Sequence, residues 1–242
     1  MTDIFNLAGK VALITGGNGG IGLGMARGLA SKGADIAIWG TNADKNRAAR
    51  AEIEAMGVRV ADFICDVGDQ AQVEASFAAT LEALGRVDSC FVNAGVGGQA
   101  ESFVSMTDDE WHRVLRVNLD GAFYTAQVAV RSMVAAGTGG SVVFTTSGSA
   151  YFGQQRGQHY GASKAGVINL TQSMADELSE FNINVNAIIP GTMDTPRNRK
   201  DMPKADFKKW VKPEDIAEVI AFLCSNKGDK ISGAILPVYG KT

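Results

Sequence analysis

Short apolar runs rich in β-branched residues alternate along the chain with longer segments whose apolar positions recur at helical period. The runs are Val11–Thr15, Asp35–Trp39, Val58–Cys65, Ser89–Asn93, Ser141–Thr145, Asn184–Ile189 and Ala234–Val238. Most are nearly continuous in apolar residues, as expected of strands buried on both faces of a parallel sheet. A helix opening near Gly20 and the segments Asp44–Met56, Asp69–Leu84, Asp108–Ala136, Tyr160–Phe181 and Pro213–Ser225 carry the helical period. This alternation predicts an α/β fold: a single doubly wound, Rossmann-type domain over residues 1–242, with about seven parallel strands and helices on both faces. No Pro/Gly/Ser-rich linker and no repeat of solenoid length interrupts it. The stretch Thr107 to Trp111 opens the long middle helix with the spacing of a capping box, Thr107 and Glu110 each able to satisfy a free backbone donor of the other.

Composition narrows the function. The chain has 242 residues, 45% of them hydrophobic, enough for one sizeable core. Net charge is −3, from 23 basic and 26 acidic residues without long blocks, which argues against a nucleic-acid or membrane-surface partner. The short basic clusters Arg197 to Lys200 and Lys208-Lys209 read as a solvated loop. Cys65, Cys90 and Cys224 lack paired spacing and sit in apolar runs, so reduced, buried thiols are expected and metal ligation is not. The first residues lack the basic and apolar regions of a secretion signal, and no apolar run approaches the length of a membrane span. A cytoplasmic protein is the expectation.

In a doubly wound sheet, ligands bind at the carboxyl ends of the strands. After the first strand comes Thr15-Gly16-Gly17-Asn18-Gly19-Gly20-Ile21-Gly22, a glycine loop running into a helix. Glycines there permit a sharp turn and close approach of backbone to a pyrophosphate, whose charge the helix N-terminus favours. Gly16, Asn18, Gly20, Ile21 and Gly22 are therefore candidate dinucleotide contacts. The end of the second strand would select the coenzyme: an acid for the ribose hydroxyls of NAD, an arginine for the extra phosphate of NADP. Here Gly40, Thr41 and Asn42 occupy that corner and neither selector is present, so NAD(H) and NADP(H) both stay open. Lys45 and Arg47 are the nearby cations.

Further along, Asn93-Ala94-Gly95 turns at a strand end. Asn118 sits among apolar neighbours inside a helix, where asparagine is a mediocre former. Ser147 follows the fifth strand, thirteen residues before Tyr160. Tyr160 and Lys164, at i and i+4, share one helix face.

TGGNGGIG, NAG, VNL, the serine before the tyrosine, YGASK and PGTMDTP together resemble, in order and at close to the same spacing, the short-chain dehydrogenase/reductase family over nearly the whole chain. The resemblance implies an NAD(P)-dependent oxidoreductase interconverting a secondary alcohol and a ketone on a small or medium metabolite. It implies Tyr160 as general acid/base, Lys164 as electrostatic partner and ribose ligand, and Ser147 as holder of the substrate oxygen. Asn118 would distort the middle helix and hold a water. It further implies Asp66 at the adenine amino group with Val67 beside the ring, Asn93, Ala94 and Gly95 along the adenosine, Pro190 and Gly191 shaping the nicotinamide site, and Thr195 at the carboxamide. A homotetramer or homodimer, built on the middle helix, the tyrosine-bearing helix and the last strand, is also common in the family.

Two departures stand out. The stretch over 192–212, where a substrate lid is expected, is short, and the chain ends without the family's frequent diglycine tail. Met193, Met202, Phe207 and Trp210 are expected to cover the pocket. Gly97, Gly98, Ser149, Tyr151, Phe152, Gln155 and His159 are expected on the opposite wall, with His159 read equally well as a surface residue. The run from Asp194 to Trp210 resembles dihydropteridine reductases locally, which keeps reduction of a pterin-like ring as an alternative. A coenzyme-binding sensor without turnover is the alternative from another class.

Overall fold

The computed structural model describes residues 5–98 and 100–240. Its sheet holds seven parallel strands: β1 (Val11–Thr15), β2 (Asp35–Gly40), β3 (Val60–Ile64), β4 (Ser89–Val92), β5 (Gly140–Thr145), β6 (Ile183–Pro190) and β7 (Ile235–Val238). The spatial order is β3-β2-β1-β4-β5-β6-β7, so strands are added outward from β1 and then restart on its other side at β4. The crevice over the carboxyl ends of β1 and β4 is therefore the topological switch point. Six of the seven strand boundaries move by one or two residues from the sequence expectation, and that of β1 does not move.

Among the described residues eight α-helices connect the strands: α1 (Gly20–Ser31), α2 (Ala43–Glu54), α3 (Gln70–Leu84), α4 (Asp108–Leu115), α5 (Gly121–Ala136), α6 (Gln158–Glu177), α7 (Pro196–Asp201) and α8 (Pro213–Cys224). Successive strand side chains point to opposite faces, and the core divides accordingly. Leu13, Trp39 and Phe144 pack with Phe77, Met133 and Val167 of α3, α5 and α6. Ile14, Ile38 and Phe91 pack with Leu29, Ile53 and Ile216 of α1, α2 and α8. Trp39 is fully buried, and its indole N–H donates to Oγ1 of Thr80 at 3.0 Å, so no polar atom of it is orphaned. Truncating the fully buried Phe144 to alanine costs about 3–5 kcal/mol on the usual scale for core aromatics.

The expected single helix over 108–136 is divided. A π-helical turn, Arg116–Asp120, separates α4 from α5 and carries Asn118 at its middle. The expected capping box is half formed: Oγ1 of Thr107 accepts from the Glu110 N–H at 3.2 Å, but the Glu110 carboxylate is drawn elsewhere. Between β6 and α8 the basic cluster forms α7 where a loop was expected. Its Arg197 and Lys200 are nonetheless exposed, and a bridge between Met193 and Val211 closes the base of this segment. Cys65 and Cys90 are buried free thiols, as expected, and Cys224 is only partly covered. Among the described residues no helix is long and apolar enough to cross a membrane.

Candidate active site

Four strand ends assemble the site, and side-chain hydrogen bonds tie three of them together. Oγ1 of Thr15, at the end of β1, accepts from the N–H groups of Asn93 and Ala94 at 3.0 Å each. The Asn93 amide donates to the Thr15 carbonyl at 3.0 Å, and its oxygen accepts from Oγ1 of Thr145 at 3.3 Å. This explains the asparagine in the β4 turn: it staples β1, β4 and β5 at their carboxyl ends.

The π-turn aims Asn118 at the loop after β4. Its Oδ1 accepts from the Val96 N–H at 2.8 Å, and its Nδ2 donates to the Val96 carbonyl at 3.0 Å and to Oγ of Ser163 at 3.2 Å. All capacity of the side-chain amide but one oxygen lone pair is used within the chain. Ser163 in turn donates to the Tyr160 carbonyl at 2.7 Å, linking the π-turn to the first turns of α6.

Lys164 is buried and donates to the Thr145 carbonyl at 2.8 Å. Burial disfavours the ammonium and brings its pKa down to about 8. Burial also pushes the Tyr160 phenol above its ordinary value, opposed in part by a hydrogen bond with the Ser147 hydroxyl. Ser147 begins the short turn Gly148–Ala150, donates to Oγ of Ser149 at 3.3 Å and accepts from the Ser149 N–H.

These groups open onto a cleft of about 1000 Å³. Of the residues singled out in the sequence, Gly16, Asn18, Gly20 and Ile21 of the glycine loop line it, as do Asn93, Ala94, Gly95, Ser147, Tyr160 and Lys164. Pro190, Gly191, Met193 and Thr195 line it too, Thr195 lying close to Gly20 of the glycine loop. Thr195 also caps α7, its hydroxyl accepting from the Asn198 N–H at 3.2 Å. Gly22 lies just beneath the loop, where a Cβ would overlap the Gly16 carbonyl oxygen.

Other expected contacts lie off the cleft wall. Gly40 is covered by Asn18, while Thr41 is exposed and Asn42 caps α2. Asp66 accepts from the Gly68 N–H and from Arg116 at 2.9 Å, and Val67 is buried against Gly121. Phe152 is exposed against Tyr151, and Trp210 packs on Phe207.

His159 requires a correction. It neither meets the cleft nor lies on the surface: it is fully buried, with Nε2 3.1 Å from Oε1 of Glu110. A carboxylate only accepts, so Nε2 carries the hydrogen. Arg113 grips the same carboxylate at 2.8 and 2.9 Å and donates to the Gly97 carbonyl at 3.0 Å. Arg113 first, and His159 after it, hold the Glu110 pKa down at about 2. This clamp joins the β4 loop, α4 and the start of α6, which has no side-chain cap of its own. It also accounts for Gly98, where a Cβ would overlap His159. Glu110 and Arg113, with Gln154, Gln155 and Arg197, wall a polar alcove that shares Tyr160 and Gly97 with the main cleft.

A family model described as enoyl-(acyl carrier protein) reductase matches residues 16–240. L-rhamnose 1-dehydrogenase (NAD(P)(+)) of Sphingomonas sp. strain SKA58 is 37% identical, over 97% of this chain and 96% of its own. The crystal structure of a short-chain type dehydrogenase/reductase from Mycobacterium marinum superposes with a TM-score of 0.91 at 32% identity, covering 98% of this chain and 97% of that one. The chain belongs to the short-chain dehydrogenase/reductase family. A further relative in this family, 2-dehydro-3-deoxy-D-gluconate 5-dehydrogenase of Dickeya dadantii strain 3937, is 32% identical over 98% of this chain and 97% of its own.

As a short-chain dehydrogenase/reductase the protein is an NAD(P)-dependent oxidoreductase acting between CH–OH and C=O groups. The cleft fits the coenzyme. The N-terminus of α1 faces it with no side-chain cap and no acid in its first turn, leaving free N–H groups for a pyrophosphate. A Cβ at Gly19 would meet nothing within 4 Å, so that backbone is open to a ligand. Sequence reasoning missed Thr15, Asn46, the Glu110–Arg113 clamp and the cleft position of Arg197. All but Arg197 act through partners distant in the chain, and the one local signal was an asparagine, Asn18, inside the glycine loop.

Proposed function

We propose that the protein interconverts a secondary alcohol and a ketone on a polyhydroxylated, sugar-like metabolite, with Tyr160 as general acid/base. The observation that carries this reading is the convergence of the Tyr160 phenol, the Ser147 hydroxyl and the buried Lys164 ammonium on the wall of one coenzyme-sized cleft. When bound, the nicotinamide coenzyme supplies or accepts the hydride. In reduction Tyr160 gives its proton to the carbonyl oxygen; in oxidation it takes the hydroxyl proton. Ser147 holds that oxygen beside the phenol. The Lys164 charge favours the phenolate and so eases proton loss from Tyr160. Asn118 positions the loop at Val96 and, through Ser163, the first turns of α6.

The substrate class is supported by the alcove beside Tyr160, whose walls carry two glutamines, two arginines and a glutamate where an apolar substrate would want hydrophobic side chains. It is supported also by relatives named for rhamnose and for a deoxygluconate. The segment 192–212 acts in this reading as a short lid, with Arg197 reaching both cleft and alcove. Screening aldoses, aldonates and their keto forms by absorbance at 340 nm tests the class; turnover confined to hydrophobic ketones would reject it.

A homo-oligomer formed through α5 and α6 accompanies this reading. Phe123 is exposed beside a depression lined by Leu119, Tyr124, Gly166 and Leu170, an apolar surface suited to a second copy. Sedimentation velocity showing only monomer at micromolar concentration would reject it. The free thiols and the absence of a membrane-spanning helix among the described residues support a cytoplasmic location.

A further inference from the structure

With the reacting groups at Tyr160 and the pyrophosphate site at the N-terminus of α1, the adenosine half of the coenzyme extends toward the end of β2. This corner of the chain is unusual. Asn46 of α2 is fully buried; its Nδ2 donates to the Gly40 carbonyl at 3.1 Å and the Phe63 carbonyl at 2.9 Å. Its Oδ1 accepts from Nδ2 of Asn18 at 2.6 Å, which pulls Asn18 of the glycine loop over Gly40. A Cβ on Gly40 would overlap the Asn18 amide, so no acidic side chain fits where one would bind the two ribose hydroxyls of NAD. The bridge also fixes the start of α2 against the glycine loop, and Lys45, in its first turn, lines the same cleft as Asn18.

The charges around this corner decide what Lys45 can do. Asp44 is paired with Arg47, Asp62 with Arg50, and Asp66 with Arg116. Each neighbouring acid is thus balanced by an arginine. Lys45 has no ion-pair partner among the described residues, and it is the only cation lining the cleft apart from Lys164 at the reacting end and Arg197 on α7. An unpaired ammonium beside the adenosine ribose, with no carboxylate to claim the 2′-hydroxyl, matches a 2′-phosphate.

Resting on the oxidoreductase reading above, we propose that Lys45 binds the 2′-phosphate of the adenosine ribose and that the protein is selective for NADP(H). The Asn18–Asn46 bridge holds the surface on which that phosphate sits. The preference is electrostatic in origin and weakens as salt is raised.

The test is binding, with no substrate required. Isothermal titration of the full chain measures NADPH against NADH, and adenosine 2′,5′-bisphosphate against adenosine 5′-monophosphate, for the parent and for Lys45→Ala and Lys45→Arg. The 2′-phosphorylated member of each pair is expected to bind about tenfold tighter or more, equivalent to about 1.4 kcal/mol. Lys45→Ala should abolish that ratio and leave NADH unchanged, and Lys45→Arg should keep it. Equal or tighter binding of NADH by the parent, or a loss of both coenzymes alike in Lys45→Ala, overturns the assignment while leaving the oxidoreductase reading intact. Binding of no coenzyme by a folded chain removes both.

Discussion

Nζ of Lys164 lies 5.9 Å from the centroid of the Tyr160 ring and is buried against the Thr145 carbonyl. One helical turn separates the two residues, so their relation follows from sequence spacing, but burial changes its chemistry. Burial raises the phenol and lowers the ammonium, each toward its neutral form.

A pH dependence follows with a defined sign. Lys164 titrates at about 8 in the folded chain against 10.5 as its ordinary value. The folded state therefore binds fewer protons than the unfolded state between these limits, and stability rises with pH across that window. The burial cost is fully present below about 8. Urea unfolding of the parent relative to Lys164→Met should show the parent gaining stability from pH 8 to pH 10.5. A parallel response of the two proteins would contradict the buried-lysine account. In the reductive direction kcat/KM should fall above about pH 8 as the Lys164 charge is lost, and in Lys164→Arg that fall should move to higher pH.

Gly98 and His159 should be energetically coupled. Gly98→Ala forces a methyl group into the imidazole that Glu110 holds, an overpacking expected to cost about 1–3 kcal/mol. Removing the ring as well, in Gly98→Ala with His159→Ala, should return part of that loss, so the double-mutant cycle in urea closes with a coupling of about 1 kcal/mol or more. Additive effects would mean that the clamp does not shape the β4 loop.

Two glycines of the first loop should differ sharply. Gly22→Ala collides with the Gly16 carbonyl oxygen and should distort the loop, cutting coenzyme affinity by about tenfold or more. Gly19→Ala adds a methyl in open space on extended backbone and should leave thermal unfolding unchanged. Titration of both variants with coenzyme and a melting curve for each distinguish them; equal damage would argue against the packing described.

The strands were legible in the sequence because a parallel sheet buries both faces and each strand becomes an apolar run. The glycine loop was legible from its place between the first strand and the first helix, and Tyr160 and Lys164 from a shared helix face, whereas the roles of Tyr160, Lys164 and Ser147 came from the motifs' resemblance to the family. The rest depends on contacts distant in the chain. His159 read as either a substrate contact or a surface residue because its partner, Glu110, lies 49 positions away. Glu110 read as half of a capping box for the same reason. Asn46 stands in a charged stretch, Asp44 to Arg47, that reads as an exposed helix, and only its bonds to Gly40, Phe63 and Asn18 bury it. The separation of α4 from α5 has one signal in the sequence, Asn118, a mediocre helix former at which the resemblance implied a local distortion; the apolar period does not show it, since a π-turn inserts one residue without breaking the run of helix formers.

The central proposal is that Tyr160 moves the proton. Its most direct test is to measure coenzyme affinity and turnover side by side for the parent and Tyr160→Phe, using a sugar or keto-sugar that the parent converts. Turnover should fall by about 10²–10⁴-fold, the usual contribution of a general acid/base, with coenzyme affinity within a few-fold of the parent. A Tyr160→Phe variant that turned over at the parent's rate would contradict the central claim.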